Sequence, residues 1–180
     1  MSQKPKATTY SKSTRQPAPQ NRTTTIVIVV VVIAAVVMIA ALFLSQNTRP
    51  TDSLSAGANF MATQAADPQV HKTPSGLEYR IVKQGTGPKP AETDTVTVNY
   101  VGTLTDGTKF DASSDHGGTA TFPLQGVIPG WTEGLQYMPV GSEYIFYIPP
   151  ALGYGNQTSG PIPANSTLVF DVTLISIQGK

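Results

Sequence analysis

Apolar and polar positions divide the chain into two regimes. Residues 26–44 read IVIVVVVIAAVVMIAALFL, 19 apolar residues without a charge, a polar side chain, a glycine or a proline. As a helix rising ~1.5 Å per residue, such a run covers roughly 28 Å, close to the ~30 Å hydrocarbon core of a bilayer. In lipid each backbone donor must be satisfied within its own segment, which favours a helix over a lone strand despite the many valines. The pattern therefore predicts one transmembrane helix over residues 26–44. A cleaved signal peptide is the alternative. Its apolar region ordinarily spans ~7 to 15 residues before a small-x-small site, whereas this run is longer and Ser45, Gln46, Asn47 and Thr48 follow it.

From Thr73 onward the period changes to two. Leu77, Tyr79 and Ile81 alternate with Glu78 and Arg80, and Val96, Val98 and Tyr100 alternate with Thr95, Thr97 and Asn99, the pattern of half-buried antiparallel strands. Asp106-Gly107 predicts a hairpin turn after residues 101–105. Further strands are expected over 142–148 and 167–177, where Leu168, Phe170, Val172 and Leu174 share one face. One short helix breaks the series. Pro129 suits its first turn, Trp131, Leu135 and Met138 recur at i, i+4 and i+7, and Pro139 and Gly141 end it. A helix of about two turns cannot form a core alone, so it is expected to lie across the concave face of a twisted antiparallel sheet, in an α+β fold. Two long segments without periodicity, 111–126 and 149–166, flank it. Such loops commonly carry function, and Tyr154, Ile162 and Phe110 are of the kind that line a ligand cavity.

Charge sharpens the division. Lys4, Lys6, Lys12, Arg15 and Arg22 place five positive charges on residues 1–25 without one acid, leaving seven basic against eleven acidic residues in the remainder. Five basic residues before the apolar run against Arg49 just after it predict a cytoplasmic N-terminus and an extracytoplasmic C-terminal domain. Residues 1–25, rich in Lys, Thr, Ser, Gln and Pro, are expected to be a disordered cytoplasmic tail. Residues 45–72, polar with Pro50 and Pro68, are expected to be a flexible linker, with a helical turn over Phe60 to Ala66 as the alternative for that stretch. Charged residues at 13% and a net charge of +1 exclude a nucleic-acid binder with a basic face. The absence of cysteine excludes a disulfide framework, a thiol nucleophile and a thiolate metal site. Asp111, Ser113, Ser114, Asp115 and His116 match no dense metal-ligand spacing and read as a solvated turn.

Four strings, VNYVGTLTDGTKFDAS, VIPGWTEGLQYMPVGS, YIPPALGYG and TLVFDVTLI, with the lead-in TPSGLEYRIVKQGTG, resemble the FKBP-type peptidyl-prolyl cis-trans isomerases in order and separation. The resemblance covers residues 73–180. It implies a half-barrel antiparallel sheet of about five strands wrapped around the short helix. It also implies isomerisation of X-Pro bonds in polypeptide substrates, macrolides as ligands, and no cofactor or metal. By position, the implied catalytic pocket comprises Tyr100, Phe110, Asp111, Val127, Ile128, Trp131 as floor, Tyr154, Ile162 and Phe170. The implied roles are a backbone N–H of Ile128 and a hydroxyl of Tyr154 holding substrate carbonyls, with Asp111 orienting neighbouring polar groups. The chain departs from the pattern at Ala120, where many members carry an aromatic two positions before the residue matching Phe122. The expectation is a membrane-anchored isomerase acting on extracytoplasmic proteins, in contact with the lipid bilayer through Ile26 to Leu44. A non-catalytic peptide-binding or chaperone module on the same scaffold is the alternative.

Overall fold

The computed structural model describes residues 50–180. The expected tail at 1–25 and transmembrane helix at 26–44 lie outside the described residues. Among the described residues no helix is long and apolar enough to cross a membrane.

Among the described residues, α-helices and strands follow one another as α1 (Pro50–Ala65), β1 (Val70–Lys72), β2 (Glu78–Lys83), β3 (Thr95–Leu104), β4 (Lys109–Ala112), β5 (Ala120–Pro123), α2 (Pro129–Leu135), β6 (Glu143–Ile148) and β7 (Leu168–Ile177). Every strand pairing is antiparallel, in the order β1-β2-β6-β7-β3-β4. β5 shares the outer edge of β3 with β4, pairing Thr95 with Pro123 and Val98 with Ala120 while β4 takes Val101 to Thr103. The sheet thus has seven strands rather than about five. The two additions are β1, inside the stretch expected as linker, and β5, inside the segment expected to be irregular.

β7 follows its alternation closely, with Leu168, Phe170, Val172 and Leu174 all buried. With Val96, Val98 and Tyr100 of β3 and Tyr144, Phe146 and Ile148 of β6, they form one apolar layer. Helix α2 lies on that layer and buries Trp131 and Leu135. It ends three residues before Met138, which is nonetheless fully buried because the following turns carry it back under the core. The helix approaches β6 closely because Gly134 faces it. A methyl group there would lie 2.6 Å from Cε1 of the fully buried Phe146, inside any tolerable contact. Thr132 Oγ donates to the Leu124 carbonyl at 2.6 Å and ties the helix to the short turn before it.

Residues 45–72 differ most from expectation. From Pro50 they form the 16-residue helix α1 and then β1. The inward face of α1 runs through Ser53, Gly57, Phe60, Met61 and Gln64, a helical spacing in which only two residues are large and apolar. Leu54, the other large apolar residue in the described part of the helix, points to solvent. So weak an apolar stripe does not announce a helix, yet it suffices against a partner surface. Phe60 packs edge-on to Tyr147 of β6 at 5.7 Å between ring centroids, and Gly57 lies against Thr167. This cover also overturns the alternation expected in β2. Glu78 is fully buried rather than outward, paired through Oε1 with Lys72 Nζ at 2.9 Å, whereas Ile81 is exposed beyond the covered area.

Candidate active site

A cavity of about 390 Å³ opens between α2, β3 and the two loops, lined by Tyr100, Asp111, Phe122, Gly126, Val127, Ile128, Trp131, Tyr154 and Phe170. Each wall comes from a different part of the chain. Tyr100 reaches inward from β3 and Phe170 from β7, where the period-two pattern places both on the core face. Trp131 rises from the first turn of α2 because Pro129 starts that helix directly after Val127 and Ile128 in extended conformation.

The rings form a fixed box. Trp131 meets Tyr100, Phe122 and Phe170 edge to face, at 5.2, 5.8 and 5.1 Å between centroids. Edge-to-face contacts of this kind contribute about 0.5–1.5 kcal/mol each beyond the area they bury. The indole is therefore held on three sides, and its remaining side forms the floor of the chamber. Its Nε1 is buried with no hydrogen-bond partner among the described residues.

Polar groups are few and placed at the rim. Tyr100 donates its hydroxyl to Asp111 Oδ2 at 2.6 Å, and His116 Nε2 lies 2.8 Å from Asp111 Oδ1. Burial, followed by the hydrogen bond to Asp111 and its charge, pushes the Tyr100 phenol far above its ordinary range, so it stays a donor. Burial alone would raise the Asp111 carboxyl. The hydrogen bonds from Tyr100 and His116, with the histidine's charge, outweigh that and hold it below its ordinary value. Tyr154, 39% exposed, stands at the mouth. The carbonyl of Ile128 starts α2, but among the described residues nothing accepts a hydrogen bond from its N–H. The chamber can thus enclose an apolar ring, offer a backbone donor and a phenolic donor to carbonyl oxygens, and exclude water.

Seven of the nine pocket positions expected from sequence meet around this chamber. Phe110 and Ile162 do not line it. Phe110 stands behind Phe170, edge-on at 5.4 Å, and Ile162 is buried in the core beneath the second loop. Both brace the wall rather than form it. Phe122 and Gly126 line the chamber although sequence reasoning did not place them there, and His116, read there as part of a solvated turn, meets Asp111. Phe122 shares its face of β5 with Ala120, but a four-residue stretch is too short to show a period, and the contact of His116 carries no sequence signal either. Ala120 packs against the core from the same strand but is not among the lining residues.

Residues 87–175 match the family model of the FKBP-type peptidyl-prolyl cis-trans isomerases. The chain is 57% identical over 122 residues to the FKBP-type peptidyl-prolyl cis-trans isomerase FkpA of Aeromonas hydrophila, covering 68% of this chain and 46% of that protein. It is 45% identical over 133 residues to the outer membrane protein MIP of Legionella longbeachae, covering 73% and 57%. The chain spans about half the length of these curated relatives. Among solved structures, FkpA from Escherichia coli superposes with a TM-score of 0.68 at 38% identity, covering 88% of this chain and 73% of that one. A peptidyl-prolyl cis-trans isomerase of Pseudomonas syringae superposes with a TM-score of 0.67 at 38% identity, covering 72% and 96%.

Proposed function

The chain belongs to the family of FKBP-type peptidyl-prolyl cis-trans isomerases, and on that footing we propose that it catalyses rotation about X-Pro peptide bonds of polypeptide substrates. One observation carries the reading: an indole floor, boxed by three aromatic rings, lies beside a free backbone donor and a rim hydroxyl. The reaction needs no more. Uncatalysed rotation faces a barrier of about 18–20 kcal/mol because amide resonance is lost in the twisted state, and it takes tens to hundreds of seconds. An acceleration of roughly 10³ to 10⁵ requires about 4–7 kcal/mol of differential stabilisation. The planar amide is the more polar form and loses more hydration in an apolar chamber than the twisted form does, so enclosure lowers the barrier.

In this reading Trp131 lies under the prolyl ring, with Val127, Phe122, Tyr100 and Phe170 as walls braced by Phe110 and Ile162. The Ile128 N–H and the Tyr154 hydroxyl hold the carbonyls flanking the rotating bond. Asp111 fixes the Tyr100 ring and transfers no proton. Macrolides that carry a proline-like ring would compete for the same chamber.

The 19 apolar residues at 26–44, preceded by five basic residues, support a single-pass anchor with the catalytic domain outside the cytoplasm, there assisting the folding of extracytoplasmic proteins. The deciding assay is NMR exchange on an X-Pro peptide with the full chain. Faster exchange that Trp131→Ala abolishes is expected. A folded wild type that binds the peptide without changing the exchange rate would convert the reading to a non-catalytic binding module.

A further inference from the structure

We propose that the outer face of α2 is a second binding groove, which seats one flank of the substrate polypeptide and selects for a Lys or Arg two or three residues from the proline. The inference rests on the chamber's being the substrate site, as proposed above.

Helix α2 buries Trp131 and Leu135 against the core, and its other side lines a separate cavity of about 580 Å³ through Pro129, Thr132, Glu133 and Gln136. Val127 lines both this groove and the chamber, so a chain whose proline sits over Trp131 can pass directly from one into the other. A polypeptide substrate extends well beyond the one ring that the chamber encloses. Along the helix Glu133 lies ~6 Å past Pro129, at ~1.5 Å per residue, and an extended chain covers ~3.3–3.6 Å per residue. A long side chain two or three residues from the proline therefore reaches Glu133.

Charge names the side chain that fits. Glu92, from the segment before β3, and Glu133 both line the groove, and no basic residue does. Neither carboxylate enters an ion pair among the described residues. Glu133 is half-buried and held in place, its Oε2 accepting from Ser75 Oγ of the turn before β2 at 2.6 Å. A carboxylate fixed before the substrate arrives saves part of the ordering cost of binding. Other polar side chains of the groove are committed within the protein: Thr132 Oγ donates to the Leu124 carbonyl and Gln136 Nε2 to the Thr132 carbonyl, at 2.6 and 2.7 Å. The groove thus offers an apolar entry at Val127 and Pro129 and two unneutralised carboxylates beyond it. Lys and Arg match both parts, with an apolar stem for the entry and a charged head for the carboxylates. Exposed ion pairs give roughly 1.4- to fivefold in affinity each, so the two carboxylates together give roughly two- to 25-fold at low salt.

The test uses the full chain with blocked X-Pro peptides that differ only in carrying Lys or Gln two or three residues from the proline, before it in one series and after it in the other. Affinity is read from the fluorescence of Trp131, the only tryptophan, and kcat/KM from NMR exchange. Wild type should prefer Lys roughly two- to 25-fold in one series only, the one whose flank leaves over Val127, and lose the preference at about 1 M salt, where charges are screened beyond ~3 Å. Glu133→Gln, which can still accept from Ser75, should lower the ratio of Lys to Gln peptides, and adding Glu92→Gln should bring it near one. Glu143→Gln on β6, outside the groove, should keep it. An equal preference in both series, or a ratio that Glu143→Gln lowers as far as Glu133→Gln does, assigns the effect to the overall charge of the domain and overturns the proposal. Preference in the fluorescence without faster exchange overturns the catalytic reading alone. Faster exchange without preference overturns the groove alone, and wild type that binds none of the peptides overturns both.

Discussion

Replacing Gly102 with alanine probes how far the shape of the chamber depends on a missing side chain. Gly102 lies in β3 opposite Phe170, and the Cβ of an alanine there would sit 2.6 Å from Cε2 and 2.7 Å from Cζ of Phe110, and 2.7 Å from Cε1 of Phe170. Phe170 is buried under Trp131 and cannot retreat, while Phe110 is half-buried and can swing outward. The substitution should gain about 0.5–1 kcal/mol from replacing glycine within a strand. Overpacking costs about 1–3 kcal/mol, and the edge-to-face contact between the two rings, at 5.4 Å and 86°, is worth about 0.5–1.5 kcal/mol if it breaks. Overpacking wins, and the net loss should be about 1–2 kcal/mol, a fall in Tm of roughly 3–8 °C. A domain stable by about 5–15 kcal/mol stays folded after such a loss, so any change in isomerisation reports the chamber itself. With Phe110 displaced, the Phe170 wall loses the ring that braces it, which should lower kcat/KM about three- to tenfold. Thermal unfolding beside NMR exchange reads both, and a double-mutant cycle with Phe110→Ala should show coupling of about 1 kcal/mol, because removing the ring removes the collision. Unchanged Tm and kcat/KM in Gly102→Ala would refute the argument that these two rings are held by a glycine-sized gap.

Other perturbations separate the remaining parts. Tyr154→Phe removes one donor of about 0.5–1.5 kcal/mol and keeps the ring, so kcat/KM should fall roughly 2- to 13-fold with Tm unchanged; full activity would take the hydroxyl out of the mechanism. Phe60→Ala should lower stability by about 1–2 kcal/mol in urea unfolding, less than the ~3–5 kcal/mol of a fully buried phenylalanine, whereas a freely moving linker would lose nothing. Because Asp111 is held below its ordinary value in the fold, the stability it contributes is present above about pH 4 and is lost as the pH falls through its folded value. The Tm difference between wild type and Asp111→Asn should accordingly narrow between pH 5 and pH 2. Ile33→Arg with Val36→Arg, each costing about 2.5–3.5 kcal/mol at the centre of a span, should release the full chain from membranes on alkaline extraction if residues 26–44 form the anchor.

The strands that were legible in the sequence are those whose pattern needs only one covered face. In β7, every second residue from Leu168 to Leu174 is apolar and every one is buried, because alternation alone assigns the inward side. Helix α2 was legible for a similar local reason: Pro129, the spacing of Trp131 and Leu135, and the glycine and proline beyond them act within a few residues. The resemblance over residues 73–180 then named most of the chamber, since its residues sit inside recognisable strings. What the tertiary structure alone decided lies where two remote segments meet. α1 has too narrow an apolar stripe to declare itself, and it exists against the outer face of the sheet at Tyr147 and Thr167. Its arrival reverses the side on which Glu78 reads as polar and exposed. β5 is too short to show a period until β3 offers it an edge. The contact of His116 with Asp111 is made across the 3-10 turn Ser113–His116, which no pattern of apolar and polar residues encodes. Periodicity specifies which face of an element avoids water. Which partner covers the other face is settled by packing between parts of the chain far apart in sequence, and there the local pattern carries no information.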